Sequence, residues 1–191
     1  MSGVLVLHPW WGLNDDIRAV AARLAGAGYT VRSPDLYDGE IATAIPDAER
    51  LMESVDRSAA LRKIEAAADE LRQGGSRYAI LGWSMGGSYA WDLIMRRPGE
   101  VSALVAYYAI GEIDTSRALP PVLHHIGELD EDVPYLREID QALRAAGADV
   151  TTHVYPGAKH WFDEPSRPEY DRAASELAWV RTLAFLRDHR G

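Results

Sequence analysis

Short runs of Val, Ile, Leu, Ala and Tyr alternate along the chain with longer segments in which apolar positions recur every three or four residues. The first pattern suits strands buried on both faces and the second suits amphipathic helices, so the chain reads as βα units around a parallel sheet. Strands are expected at Val4–Leu7, Tyr29–Ser33, Tyr78–Leu81, Ala103–Tyr107, Val122–Ile126 and Val150–Tyr155, and helices at Asp15–Ala27, Ser58–Gln73, Met85–Arg96, Pro134–Ala146 and Glu169–Asp188. In the first helix Ile17, Val20, Ala21 and Leu24 share one stripe, Asn14 to Asp16 supply a cap and acidic first-turn charge, and Gly26 and Gly28 mark the end. The segment Asp38–Arg57 is the least regular; it fits a small lid or extra helix over a site, or a plain surface excursion. The expected fold is a three-layer α/β/α sandwich whose sheet is mostly or wholly parallel.

Composition narrows this picture. With 191 residues and 47% apolar content the chain suits one domain over 1–191. Acidic residues outnumber basic ones by 29 to 20, and a formal charge of −9 disfavours nucleic acid and anionic lipid as partners. The apolar run at Val4–Leu7 has no basic stretch before it and no stretch is long enough to span a bilayer, so a soluble, cytoplasmic protein without a membrane partner is expected. The absence of cysteine removes disulfides, thiolate catalysis and thiolate-held metal; no cofactor and no metal are expected.

The most specific signal is Gly82-Trp83-Ser84-Met85-Gly86-Gly87, a Gly-x-Ser-x-Gly sequence between an expected strand and an expected helix. A nucleophilic serine on such a turn sits in strained backbone, and flanking glycines let strand and helix approach. The helix N-terminus below it offers backbone N–H groups to a developing oxyanion, the first being that of Met85. On this elbow the expected chain order is Ser, acid, His. His160 follows the last strand and suits the base, while Glu128, Asp130, Glu131 and Asp132 crowd the turn after Val122–Ile126. Asp130 and Asp132 both remain open as the acid on this reading. If the strands take the order 2-1-3-4-5-6, the crevice between the first and third brings His8-Pro9-Trp10-Trp11 beside Ser84. Trp10 N–H is then the expected second oxyanion donor, since Pro9 has none, and His8, Trp11, Tyr108 and Trp161 are expected to line the substrate pocket.

Together these segments resemble the dienelactone hydrolase family of α/β-hydrolases. The resemblance runs through Trp11–Asn14, Gly28-Tyr29, Ser33–Tyr37, the elbow, Ala106–Tyr108, Gly127–Pro134 and Gly157–Phe162. It implies an α/β-hydrolase fold and hydrolysis of a small-molecule carboxylic ester or lactone; a monomer or homodimer is expected, and the sequence does not separate the two. It also implies that Asp130 is the acid of a triad with Ser84 and His160, and that Asp35 only holds its loop. Founding members of the family carry Cys at the position of Ser84, Glu at that of Pro9, and an Arg shortly after the His that holds a substrate carboxylate. Here Asp163 and Glu164 occupy that last stretch and are expected to repel anionic substrates, unless Arg57 or Arg167 replaces the clamp. A thioesterase or acyl-peptide hydrolase would use the same triad. A non-catalytic binding protein would be expected to have lost a member of it, and none is lost.

Overall fold

The alternating segments form one parallel sheet of β1 (Gly3–Leu7), β2 (Thr30–Arg32), β3 (Tyr78–Trp83), β4 (Val101–Tyr107), β5 (Val122–Gly127) and β6 (Val150–Tyr155). The computed structural model describes residues 2–72 and 75–190. The strands lie in the order β2-β1-β3-β4-β5-β6, every neighbouring pair parallel, so the chain's winding reverses between β1 and β3. The helices are α1 (Asp15–Gly26), α2 (Ile45–Ser54), α3 (Arg57–Leu71), α4 (Met85–Arg96), α5 (Val133–Ala145) and α6 (Arg172–Asp188).

Each central strand is buried along its whole length because helices cover both faces. Val4 and Val6 of β1 point with Leu81 and Val105 towards Ile17 and Leu24 of α1 and Ala178 and Leu186 of α6. Leu5 and Leu7 point the other way, with Ile80 and Leu104, towards Leu51 of α2, Leu61 and Ile64 of α3, Leu93 of α4 and Leu143 of α5. The two cores are the two halves of a three-layer α/β/α sandwich. No helix among the described residues is long and apolar enough to cross a membrane.

Local chemistry sets the helix ends. Asn14 accepts the Ile17 N–H at 3.1 Å and caps α1 as its position suggested. The helix expected over Glu169–Asp188 starts later, at Arg172, because Asp171 takes the capping role and accepts the Ala174 N–H at 3.0 Å. The helix expected over Ser58–Gln73 is α3, capped by Asp56 and ending at Leu71; Gln73 lies outside the described residues. The irregular segment Asp38–Arg57 contains α2, which rests Ala48 and Leu51 in the core.

Candidate active site

Ser84 stands between β3 and α4 with φ 48° and ψ −116°, a left-handed conformation that a residue with a Cβ adopts at a cost of about 1–3 kcal/mol. The surroundings hold it there. Ser84 N–H donates to the Tyr107 carbonyl at 3.0 Å, and Gly87 N–H donates to the Ser84 carbonyl at 2.9 Å. All three glycines of the motif are sterically required: a Cβ would sit 2.7 Å from Gly87 Cα at Gly82, 2.2 Å from the Leu7 carbonyl oxygen at Gly86, and 2.2 Å from Ala109 Cβ at Gly87. The elbow therefore packs α4 against the carboxyl ends of β1 and β3 and lifts the hydroxyl over the sheet.

His160 and Asp130 arrive from the neighbouring strands. Gly127 ends β5 so close to the loop after β6 that a Cβ there would lie 2.5 Å from the Ala158 carbonyl oxygen. Leu129 N–H donates to that oxygen at 2.9 Å. The loops so joined set His160 Nδ1 2.7 Å from Asp130 Oδ2, and His160 Nε2 3.4 Å from Ser84 Oγ. The second distance is long for a hydrogen bond, in the range that tightens in an occupied site. The Asp130 side chain is fully buried, and its other oxygen accepts the Asp132 N–H at 3.0 Å. Of the two acids left open by the sequence, Asp130 is the one that touches His160. Asp132 is partly exposed, with its carboxyl pushed above the usual range by burial and by the charge of Asp130. Ligand atoms of Asp130, Asp132 and His160 lie within 4.8 Å of one another, the spacing a bound cation would use, but two of these residues already engage each other.

The turn from Pro9 to Gly12, closed by a 3.2 Å bond from Gly12 N–H to the Pro9 carbonyl, brings Trp10 beside Ser84. Among the described residues, the backbone N–H groups of Trp10 and Met85 have no protein acceptor. Two donors at the rim of the elbow are thus free for a negative oxygen.

A cavity of about 470 Å³ opens over Ser84 and His160, with Trp10, Trp161, Leu129, Glu131, Asp132, Lys159 and Glu169 in its walls. A smaller one of about 290 Å³ lies on the other side of Ser84 and Trp10, walled by Met52, Val55, Met85 and Tyr89 with Arg57 and Ser88. Sequence reasoning missed most of these walls. Met52 and Val55 come from α2 and its C-terminal end, so the irregular segment does flank the site.

Three expected pocket residues lie beneath the pocket instead. His8 is completely buried: its Nδ1–H donates to the Pro9 carbonyl at 2.7 Å and its Nε2 accepts the Leu36 N–H at 3.1 Å, so it ties the Trp10 turn to the loop after β2. Burial depresses its pKa and keeps it neutral in that role. Trp11 is 1% exposed and packs in the core, its ring meeting Trp161 edge-on at 5.2 Å. Tyr108 is 2% exposed; its ring lies 4.7 Å from that of His160 and its hydroxyl donates to Glu164 Oε1 at 2.8 Å. Trp161 alone of the four reaches the cavity. Asp35 holds its loop, accepting the N–H groups of Tyr37 and Gly39 at 3.0 and 2.8 Å.

Asp163 and Glu164 do not stand at the mouth. Asp163 accepts hydrogen bonds from Trp83 Nε1 at 2.9 Å and Ser175 Oγ at 2.6 Å, while Glu164 is wholly buried against Tyr108. Burial raises Asp163 to about 7 and Glu164 to about 8. Arg167 lies over the Trp11 ring at 3.9 Å, and Arg57 lies over Tyr89 at 4.9 Å while pairing with Asp92 at 2.5 Å.

The buried acids make stability depend on pH. A carboxyl whose pKa is higher in the folded than in the unfolded protein holds its proton longer when folded, so stability is full at low pH and falls as pH rises towards the folded value. Buried His8 and His125 have depressed values and act in the opposite sense only below about 6.5, their ordinary range. Above pH 6.5 the loss therefore comes from both acids up to about pH 7 and chiefly from Glu164 between 7 and 8, at up to about 1.4 kcal/mol per pH unit for each carboxyl. Thermal melts are expected to show the wild type losing stability across that window and Glu164→Gln losing markedly less. Parallel curves would show that Glu164 is ionised throughout.

A model of the dienelactone hydrolase family matches residues 1–190. Among curated relatives, "Protein usf" of Aquifex pyrophilus is 30% identical, over 98% of this chain and 88% of that protein. A protein of Escherichia coli O157:H7 named "Putative carboxymethylenebutenolidase" is 32% identical, over 98% of this chain and 77% of the other. The crystal structure described as a "Putative Dienelactone Hydrolase" from Klebsiella pneumoniae superposes with a TM-score of 0.83 at 28% identity, covering 96% of this chain and 85% of that one.

Proposed function

The chain belongs to the dienelactone hydrolase family, and from that premise we propose that it hydrolyses small carboxylic esters or lactones through an acyl intermediate on Ser84. The observation that carries this reading is the unbroken chain from Ser84 Oγ through His160 to buried Asp130, beside two unpaired backbone N–H groups.

In this mechanism His160 Nε2 takes the Ser84 proton as Oγ adds to the carbonyl carbon, and the carbonyl oxygen becomes an oxyanion between the N–H groups of Met85 and Trp10. Asp130 fixes the tautomer that leaves Nε2 free to accept, and stabilises the imidazolium that forms. The tetrahedral centre collapses, the C–O bond to the leaving alcohol breaks, and His160 returns the proton to that oxygen. Water then repeats the sequence on the acyl-serine, releasing the acid and restoring Ser84. Serine lacks the ready ionisation of the cysteine in the founding members, so His160 is needed as base in both halves of the cycle.

Capture by a fluorophosphonate tests this reading, because the reagent phosphonylates only a serine that a neighbouring base activates. One adduct, on Ser84, is expected. Folded protein that stays unlabelled would overturn the proposal.

A further inference from the structure

We propose that the His160 side of the site is built for a leaving group carrying a positive charge, a quaternary ammonium or protonated amine alcohol. The inference rests on the Ser84 acyl-transfer reading and adds to it the substrate class.

Acid catalysis assigns the two cavities. The leaving oxygen must receive its proton from His160 Nε2, so the alcohol lies on the side of Ser84 where His160 stands, in the cavity of about 470 Å³. The acyl chain is left the cavity on the other side, between Met52, Val55, Met85 and Tyr89 with Arg57 and Ser88 at its wall, whose size suits a short acid.

The walls of the leaving-group cavity then specify what the alcohol carries. Asp130, Glu131, Asp132 and Glu169 face Lys159 as the single cationic side chain in its lining. Asp130 is committed to His160, whereas Glu131, Asp132 and Glu169 form no ion pair among the described residues. Glu169 keeps one buried oxygen, Oε2, with no hydrogen-bond partner at all. The raised carboxyl of Asp132 owes its shift to burial first and in part to the charge of Asp130, so these acids repel each other within the cavity. A cation placed there relieves that repulsion, and a substrate carboxylate adds to it.

Beside Leu129, the remaining wall is formed by two indoles. Trp10 and Trp161 stack on each other, 30° apart with ring centres 6.0 Å apart, so a ligand meets one of these indoles at the cavity wall and does not enter between them. Indole faces attract alkylammonium groups through their quadrupole, and a large, weakly hydrated cation suits such a wall better than a small ammonium. Aromatic surface beside unpaired carboxylates thus favours an onium group, where either alone would favour an apolar or a strongly hydrated one.

The test compares acetylcholine with its neutral isostere, in which a quaternary carbon replaces the nitrogen. The cationic ester is expected to have a kcat/KM higher by about tenfold or more at low salt, in line with one desolvated cation–π contact and one carboxylate contact. The preference should shrink at high salt and in the Glu131→Gln/Glu169→Gln double variant. Equal turnover of the two esters, or faster turnover of the neutral one, would overturn the inference while leaving the serine mechanism intact. If neither ester is turned over, fluorophosphonate labelling decides the serine reading separately, and calorimetry with choline against the isosteric alcohol decides the present question. Tighter binding of choline supports the cationic subsite; equal or weaker binding refutes it.

Discussion

Ser84→Ala is expected to lower kcat on a neutral activated ester by about four to six orders of magnitude, with only oxyanion and binding effects left. The variant is a clean probe because alanine carries the same Cβ into the same left-handed backbone, where φ is 48°. The strain of the elbow, its glycine contacts and the thermal stability should be unchanged, so lost turnover will not reflect lost fold. The check is kcat and KM on purified protein, with a melting curve alongside. Turnover within an order of magnitude of wild type would place the chemistry on another residue.

Asp130→Asn is expected to cost about four orders of magnitude in kcat, close to what loss of the orienting acid costs in other triads. Asparagine matches the carboxylate in shape but can turn its amide towards His160 Nδ1. That selects the tautomer with a proton on Nε2, which cannot accept one from Ser84. The bond from Asp132 N–H to Asp130 Oδ1, 3.0 Å long, survives if the amide oxygen faces it, and this keeps the amide nitrogen turned to His160. Asp132→Asn touches neither contact and should lose far less. The comparison separates two acids that stand two residues apart in one turn; a larger loss at Asp132 would reverse their roles.

The elbow could be read from the sequence because its constraints are local. Gly82, Gly86 and Gly87 are there for want of space, and that need leaves a pattern in the letters. The strand order was open to inference for a similar reason, since parallel strands joined by helices allow few arrangements. The identity of the acid was harder to read, because four carboxylates share its turn and only the approach of the loop after β6, permitted by Gly127, decides which one meets His160.

The pocket was the least legible part. His8, Trp11 and Tyr108 all follow the carboxyl ends of strands, where a ligand would be expected, yet each turns below the surface of the crevice. Position along a strand tells which end of the sheet a residue occupies and not whether its side chain points up or down once the strand has stopped. Asp163 and Glu164 mislead for a different reason. Charged residues are read as solvated by default, and only their partners, Trp83, Ser175 and Tyr108, reveal that Glu164 is buried and Asp163 half-buried and hydrogen-bonded away from the mouth. Glu131 and Asp132 stand out in the sequence only as candidates for the acid, and Glu169 not at all; that all three line one cavity with Trp10 and Trp161 emerges only from the fold.

The central claim is that Ser84 is an activated nucleophile whose base is His160, and peptide mapping of a fluorophosphonate adduct tests it most directly. Wild-type protein is predicted to gain one adduct, on the peptide that holds Ser84. Ser84→Ala should gain none, and His160→Ala should be labelled orders of magnitude more slowly. An adduct on another residue, or labelling of Ser84 at the same rate without His160, would contradict the account.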